Sequence, residues 1–312
     1  MKMKKLVLAI ASMVLAAGLA SAQDMAQATE LYNNGATAIT MKNWTEALDY
    51  FQKALAMGNE IGEEAEELVT NCKNAIPGVA LQIAKELINE EKYDEAYTKL
   101  EDASKIAEEF GNEEVTDEAK TLVPQIWLRK GAAAMNLKDF ETAADSYAKA
   151  YDLDTTAGKT AFRLGQALGQ LGKTEDAVKA FQHAAWNGED AAMAQISNLY
   201  VKDANVAFKA QKFADAIKAA DKANSYAENA TAYLIAGQAS QKLSKNADAI
   251  KNFEKYLELK PTASNANGIT FTVAALYQGQ KNNAKALEFY KKVQNDAKFG
   301  AQAKQQIAAL SK

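Results

Sequence analysis

The stretch "DFETAADSYAKAY", residues 139–151, places apolar residues at a helical spacing: Ala143, Tyr147 and Ala150. Positions i, i+4 and i+7 lie on one face of an α-helix, so the stretch predicts an amphipathic helix with one buried side. The same pattern occurs seven times, and its leading residues are Ala47, Ala96, Ala143, Ala177, Ala216, Ala249 and Ala286. Repetition of one helical unit predicts an all-α architecture of stacked repeats.

A second small residue accompanies each copy. Twelve residues before each leading alanine the chain has only glycine or alanine, at Gly35, Ala84, Gly131, Gly165, Ala204, Gly237 and Ala274. The third and fourth leading alanines are 34 residues apart, which is the period of the tetratricopeptide repeat. The chain therefore resembles tetratricopeptide-repeat proteins of an exported bacterial type. The resemblance implies an α-solenoid, a right-handed superhelix of about seven helix pairs in which the small residue lets the first helix pack closely on the second.

The alignment of copies predicts the domain plan. We expect a solenoid over 23–312, with repeats near 28–61, 77–110, 124–157, 158–191, 197–229, 230–263 and 267–300. The segment 296–312 is predicted to be a C-terminal capping helix, which shields the last repeat. The first two spacings, 49 and 47 residues, predict longer helices or an extra turn. Pro77 and Pro124 each precede a leading alanine by 19 residues, and we expect both in the first turn of a helix, where proline is tolerated.

The N-terminus has the order of a secretory signal peptide. Lys2, Lys4 and Lys5 precede an apolar run, and small residues at Ala20 and Ala22 follow it. This pattern predicts cleavage after residue 22 and an exported chain, periplasmic or secreted, without an integral membrane span. No cysteine lies near the cut, so a lipoprotein is not expected.

Composition limits the partners. The mature chain has 33 basic and 40 acidic residues, a net charge of −7. Nucleic acid is not an expected partner, because its binding depends on clustered Lys and Arg. His183 and Cys72 are the single residues of their kinds, so we expect no catalytic set, no metal site and no cofactor.

The stretch "ALGQLGKT", residues 167–174, fits a loose phosphate-loop pattern. A phosphate loop follows a strand, whereas the preceding "TAFRLGQALGQL" has a helical period. We therefore interpret Gly172 as a helix C-terminal glycine and Thr174 as the N-cap of the next helix, and expect no nucleotide.

The resemblance also predicts a binding surface. In this family the first helices of the pairs line a concave groove, which usually receives a segment of another protein. The positions that match the groove in repeats four to six are Arg163, Gln166, Gln170, Lys202, Asn205, Phe208, Leu234, Gln238 and Gln241. Amides suit the backbone of an extended segment, and Phe208 suits an apolar anchor. The expected function is a non-enzymatic protein-interaction scaffold in the cell envelope. The alternative is a module that binds or senses a small ligand such as a glycan.

Overall fold

The computed structural model describes residues 21–311, which form 15 α-helices and no β-strand. The chain divides into two compact units, residues 21–156 (unit 1) and 157–311 (unit 2). The predicted signal peptide falls on residues 1–20, which lie outside the described residues, and on Ser21 and Ala22, which begin the first helix.

Unit 1 contains three antiparallel helix pairs. They are α1 (Ser21–Thr40) with α2 (Trp44–Ile61), α3 (Glu66–Asn89) with α4 (Tyr93–Glu109), and α5 (Glu113–Asn136) with α6 (Phe140–Leu153). A single 3-10 turn, Glu63–Ala65, precedes α3. Each pair packs on the next, since α2 contacts α3 and α4 contacts α5.

Unit 2 contains four pairs and a final helix. They are α7 (Gly158–Gln170) with α8 (Thr174–Trp186), α9 (Ala192–Lys209) with α10 (Phe213–Tyr226), α11 (Ala230–Lys242) with α12 (Asn246–Leu259), and α13 (Ala266–Gly279) with α14 (Asn283–Lys292). The final helix, α15 (Gly300–Leu310), contacts α14. Its Ala303, Ile307 and Leu310 pack against the apolar core of the last two pairs. The expected all-α solenoid of seven helix pairs with a capping helix is confirmed in the helix order of the two units.

The repeated pattern of the sequence forms the core. All seven leading alanines have no exposed surface, and the apolar residues four and seven positions later are buried in every copy. The small residues of the first helices are buried as well. Burying a large apolar side chain stabilises a fold by about 1.5–3 kcal/mol, so the second helix of each pair is held mainly by this one face.

Four first helices have a glycine twelve positions before the leading alanine, and each of these glycines is in direct contact with an aromatic ring of the second helix. A Cβ atom placed on Gly237 would lie 2.6 Å from Cδ1 of Phe253, and one on Gly131 would lie 2.7 Å from Cε1 of Tyr147. Gly35 and Gly165 meet Phe51 and Phe181 in the same way, both at 2.9 Å. The absence of a side chain therefore lets the two helices of the pair approach until the ring covers the backbone.

The turn inside each pair has one fixed geometry. The residue five positions before the leading alanine has a positive φ in all seven pairs, at Lys42, Glu91, Lys138, Gly172, Gln211, Ser244 and Lys281. This left-handed conformation ends the first helix and favours glycine. Gly172 is thus the helix C-terminal glycine that the sequence predicted. Thr174 is not the N-cap, because Lys173 takes that place and Thr174 is the first residue of α8.

The prediction that Pro77 and Pro124 lie in the first turn of a helix is wrong. Pro77 and Pro124 lie in the interiors of α3 and α5, each the twelfth residue of a 24-residue helix. A proline in a helix interior costs about 3 kcal/mol relative to alanine. In α3 the turns before the proline offset this cost. Their residues Leu68, Cys72 and Ile76 are almost completely buried in the apolar core that α3 shares with α1 and α2. Tertiary packing thus keeps the residues before each proline helical and produces the longer helices that the wide spacings predicted.

We predict that Gly237→Ala destabilises unit 2 by about 1–3 kcal/mol, because the new methyl group overpacks against the ring of Phe253. Gly279→Ala is the matched control, since a Cβ there would meet no atom within 4 Å. Chemical denaturation of both variants measures the difference, and Gly237→Ala combined with Phe253→Leu should recover stability. Equal stability of the two single variants would contradict the contact as described.

The turns give a second prediction. Ser244→Gly should raise stability by about 1 kcal/mol, because φ at Ser244 is 57° and a Cβ atom is strained there. Gly172→Ala, at the equivalent turn with φ 73°, should lower stability by a similar amount. Thermal unfolding of the two variants checks the sign, and changes in the same direction would exclude backbone strain as their cause.

Candidate functional site

The predicted groove residues lie on three first helices of unit 2. On α7 the side chains of Arg163, Gln166 and Gln170 are exposed and fall on one stripe of the helix. On α9, Lys202 and Asn205 are exposed, and Phe208 is half-buried at the border of the exposed stripe. We call the exposed faces of α7, α9 and α11 the first-helix stripe.

Fewer of the predicted groove positions are exposed on α11 than on α7 or α9. Gln241 is exposed, whereas Gln238 and Leu234 are half-buried. Leu234 packs against the apolar core of the last two pairs, so it is a packing residue that shows one side to solvent. Because α9 and α11 are in contact, their stripes are neighbours within unit 2.

Phe208 is partly committed to packing. Its ring lies 5.4 Å from that of Phe213, centroid to centroid, in an edge-to-face arrangement. Phe213 is the first residue of α10, so this ring pair joins the two helices of one repeat. Only the remaining face of Phe208 is available to a partner.

Val206 was missed by the sequence analysis. It is 63% exposed and lies one helical turn after Lys202, among exposed residues of α9. The helical period of α9 was the signal that could have revealed it. Val206 gives the stripe an apolar side chain that is more exposed than Phe208.

The three first helices α7, α9 and α11 each carry a net positive charge. The helices α7 and α11 contain no acidic residue, and α9 contains only Asp203. Burial raises the pKa of the Asp203 carboxyl, while Lys202 and Lys222 act in the opposite direction. Lys222 is itself held by Tyr200, whose ring centroid is 4.5 Å from the Lys222 Nζ atom. Arg163 and Lys202 are the exposed cations at the predicted groove positions, and Lys159, Lys209 and Lys242 are further exposed cations near the ends of the same helices.

A cavity of about 440 Å³ lies in unit 1, outside the predicted residues. Its apolar floor is formed by Leu48, Ala80, Ile83 and Ile106. The lining also contains Lys99 and Asp102, whose charged atoms are 3.4 Å apart. Ligand sites combine an apolar wall with converging polar groups. Here Gln52 and Lys105 complete the polar part of the lining beside the Lys99–Asp102 pair.

The single cysteine is a packing residue. Cys72 has no exposed surface, and burial raises the pKa of its thiol to about 12. The thiol is protonated at neutral pH, and reactivity depends on the thiolate. Cys72 therefore behaves as a small apolar side chain of the core.

Neither a cluster of metal ligands nor a membrane-spanning helix occurs among the described residues. Among residues 21–311, no three His, Cys, Asp or Glu side chains lie together as metal ligands. No helix in the same range is both long and apolar enough to cross a bilayer. The phosphate-loop pattern lies between two helices, with α7 where a phosphate loop has its strand.

Comparison with known proteins gives a family and several loose structural likenesses. The family model for the tetratricopeptide repeat matches residues 124–156, 159–185 and 230–262. No curated protein matches the chain in sequence.

Three solved structures illustrate the likeness. The MamA protein is 20% identical, with a TM-score of 0.36 over 58% of this chain and 96% of its own. The TPR2AB domain of yeast Sti1, in a complex with pHSP90, is 19% identical, with a TM-score of 0.35 over 92% of this chain and 99% of its own. PilF of Pseudomonas aeruginosa is 14% identical, with a TM-score of 0.30 over 61% and 90%.

The assignment rests on the features of this chain. Repeated helix pairs, a glycine or alanine at one place in every first helix, and a family match to three stretches agree with one another. Residues 124–156, 159–185 and 230–262 are therefore tetratricopeptide repeats, and the other helix pairs repeat their pattern of small residues.

Proposed function

We propose that this protein is a non-enzymatic interaction scaffold of the bacterial cell envelope that binds an extended partner segment along the first-helix stripe. One observation carries the proposal: three successive first helices of unit 2 present the nine groove positions on or beside their solvent-facing stripes. A repeat architecture generates such an extended surface because each pair adds one equivalent helix.

The chemistry of the stripe suits the backbone of a partner. Gln166, Gln170, Asn205 and Gln241 carry side-chain amides, which both donate and accept hydrogen bonds. Val206 and the free face of Phe208 supply apolar contact. Arg163 and Lys202 favour a segment with acidic side chains, since the stripe offers them no carboxylate partner except the half-buried Asp203.

Photocrosslinking in native cells tests this surface. We predict that p-benzoyl-phenylalanine placed at Gln166 or Asn205 captures one common partner protein. Placed at Gln182 of α8 or Lys218 of α10, which are exposed on second helices, it should not. Phe208 is left unchanged because its ring packs on Phe213, and a substitution there would disturb folding as well as binding.

An affinity measurement shows whether the stripe binds the partner or only lies near it. Gln166→Arg with Asn205→Arg should lower the partner's affinity at least tenfold, because two bulky cations block the hydrogen bonds of the stripe. Gln182→Arg is the control with the same chemistry on a second helix. Equal crosslinking from all four positions, or unchanged affinity in the double variant, would reject the stripe as the binding surface.

Export is a separate part of the proposal. The basic, apolar and small-residue order of residues 1–22 supports it. We predict that the chain purified from its native cells begins at Gln23, as measured by the intact mass and the N-terminal peptide. A native chain that retains Met1 and the lysines that follow would overturn the envelope assignment while leaving the stripe open to test.

A further inference from the structure

Opposite charges are separated between the two units. Residues 21–156 contain 12 Lys and Arg and 27 Asp and Glu, a formal net charge of −15. Residues 157–312 contain 21 Lys and Arg and 13 Asp and Glu, a formal net charge of +8. The overall value of −7 conceals this separation, and such asymmetry between halves points to an interaction.

Six of the 21 Lys and Arg residues of unit 2 lie in or next to the turns inside its helix pairs. We call this surface the basic edge, and it consists of Lys173, Lys209, Lys212, Lys242, Lys245 and Lys281. All six are exposed, and the turn segments that contain them have no acidic residue. None of the six forms an ion pair with another of the described residues.

Three of these lysines are unfavourable for their own helices. Lys173, Lys212 and Lys245 are the N-caps of α8, α10 and α12, and none of them makes a side-chain capping hydrogen bond. Asn, Asp, Ser and Thr are the residues that stabilise this position, and a cation opposes the positive end of the helix dipole. Lys92 takes the same position before α4 in unit 1 but forms an ion pair with Glu90, so the three N-cap lysines of unit 2 differ from it in having no carboxylate partner among the described residues.

Unit 1 has the opposite surface at the turns between its pairs. We call it the acidic edge, and its exposed carboxylates are Glu60, Glu63, Glu64, Glu66, Glu67, Glu108, Glu109, Glu113 and Asp117. No Lys or Arg occurs between Lys53 and Lys73, or between Lys105 and Lys120. Glu60, Glu108 and Glu109 lie in the last turns of α2 and α4, where an anion opposes the negative end of the helix dipole.

We propose that the basic edge of one molecule binds the acidic edge of a second copy of this chain. Both edges carry a group of charges once per helix pair, and packed helices are about 8–10 Å apart, so the two rows can match in register. The contact joins different surfaces of the two molecules, and such a heterologous contact builds either a ring or a linear chain of copies. Lys209 and Lys242 are the last residues of α9 and α11, but none of the six lysines is one of the nine groove positions, so the contact can be tested apart from the proposed function.

The expected association is weak and depends on salt. Exposed ion pairs contribute little individually, and the Debye length shortens from about 10 Å at 0.1 M salt to about 3 Å at 1 M. Sedimentation velocity of the chain from Gln23 should show a mass that rises with protein concentration at 20 mM NaCl. At 500 mM NaCl the monomer should remain at every concentration.

Charge variants locate the contact without weakening the fold. Lys212→Asp with Lys245→Asp should abolish association at 20 mM NaCl while the melting temperature stays equal or rises, because aspartate is a good N-cap. Lys218→Asp with Lys251→Asp makes the same charge change on exposed second-helix positions and should leave association in place. Equal loss in both double variants would show that net charge alone is responsible and would overturn the assignment.

A mixing experiment identifies the second copy as the partner. Glu60→Lys with Glu108→Lys and Glu109→Lys should be monomeric alone, and these changes suit the helix C-termini. Mixed with the Lys212→Asp, Lys245→Asp variant, it should form a one-to-one complex, because each variant retains the edge that the other lacks. A wild-type chain that stays monomeric at 20 mM NaCl, or that binds anionic lipid vesicles through the same lysines without associating, would overturn the proposal.

Discussion

The structure depends on one close contact, in which a glycine of the first helix lies under an aromatic ring of the second. Where the ring is Phe51, Tyr147, Phe181 or Phe253, the opposing residue is glycine, and a Cβ there would be no more than 2.9 Å from the ring. In the second pair the first helix has Ala84 and the opposing residue is the smaller Leu100, and in the fifth pair Ala204 opposes Ala220. In the seventh pair Ala274 takes this place although the second helix has Tyr290, so the close contact between glycine and ring holds in four of the seven pairs.

This contact also explains how the surfaces are organised. When each pair packs in the same way, the first helices present equivalent stripes to solvent, and the turns inside the pairs lie at equivalent places. The residues that remain outside the core can then vary freely. Lysines also occur in the turns inside the pairs of unit 1, at Lys42, Lys92 and Lys138, whereas the turns richest in glutamate are those between the pairs of unit 1. Amides and cations occupy the stripes of α7, α9 and α11, lysines occupy the turns of unit 2, and glutamates occupy the turns between the pairs of unit 1.

Several helix ends carry charges that oppose the dipole of their own helix. The N-cap lysines of α8, α10 and α12 and the C-terminal glutamates of α2 and α4 each oppose the dipole of their own helix. The interior prolines of α3 and α5 are a different kind of conflict. They lie in helices that buried neighbours hold together, so the cost of a missing backbone hydrogen bond is met inside the core.

The sequence alone determined the helix pairs and their buried faces, because a 3.6-residue period and a repeated glycine or alanine are written in the order of residues. It also located the left-handed turn at Gly172, because glycine is the usual residue there. Only the tertiary structure decided that α3 and α5 run through their prolines, since burial of Leu68, Cys72 and Ile76 outweighs a local preference. Only the tertiary structure showed that Phe208 is shared with Phe213, that Leu234 belongs to the core, and that the charges of the two units lie on particular edges. These features depend on how the helices pack and turn in three dimensions, and the local pattern of residues does not encode them.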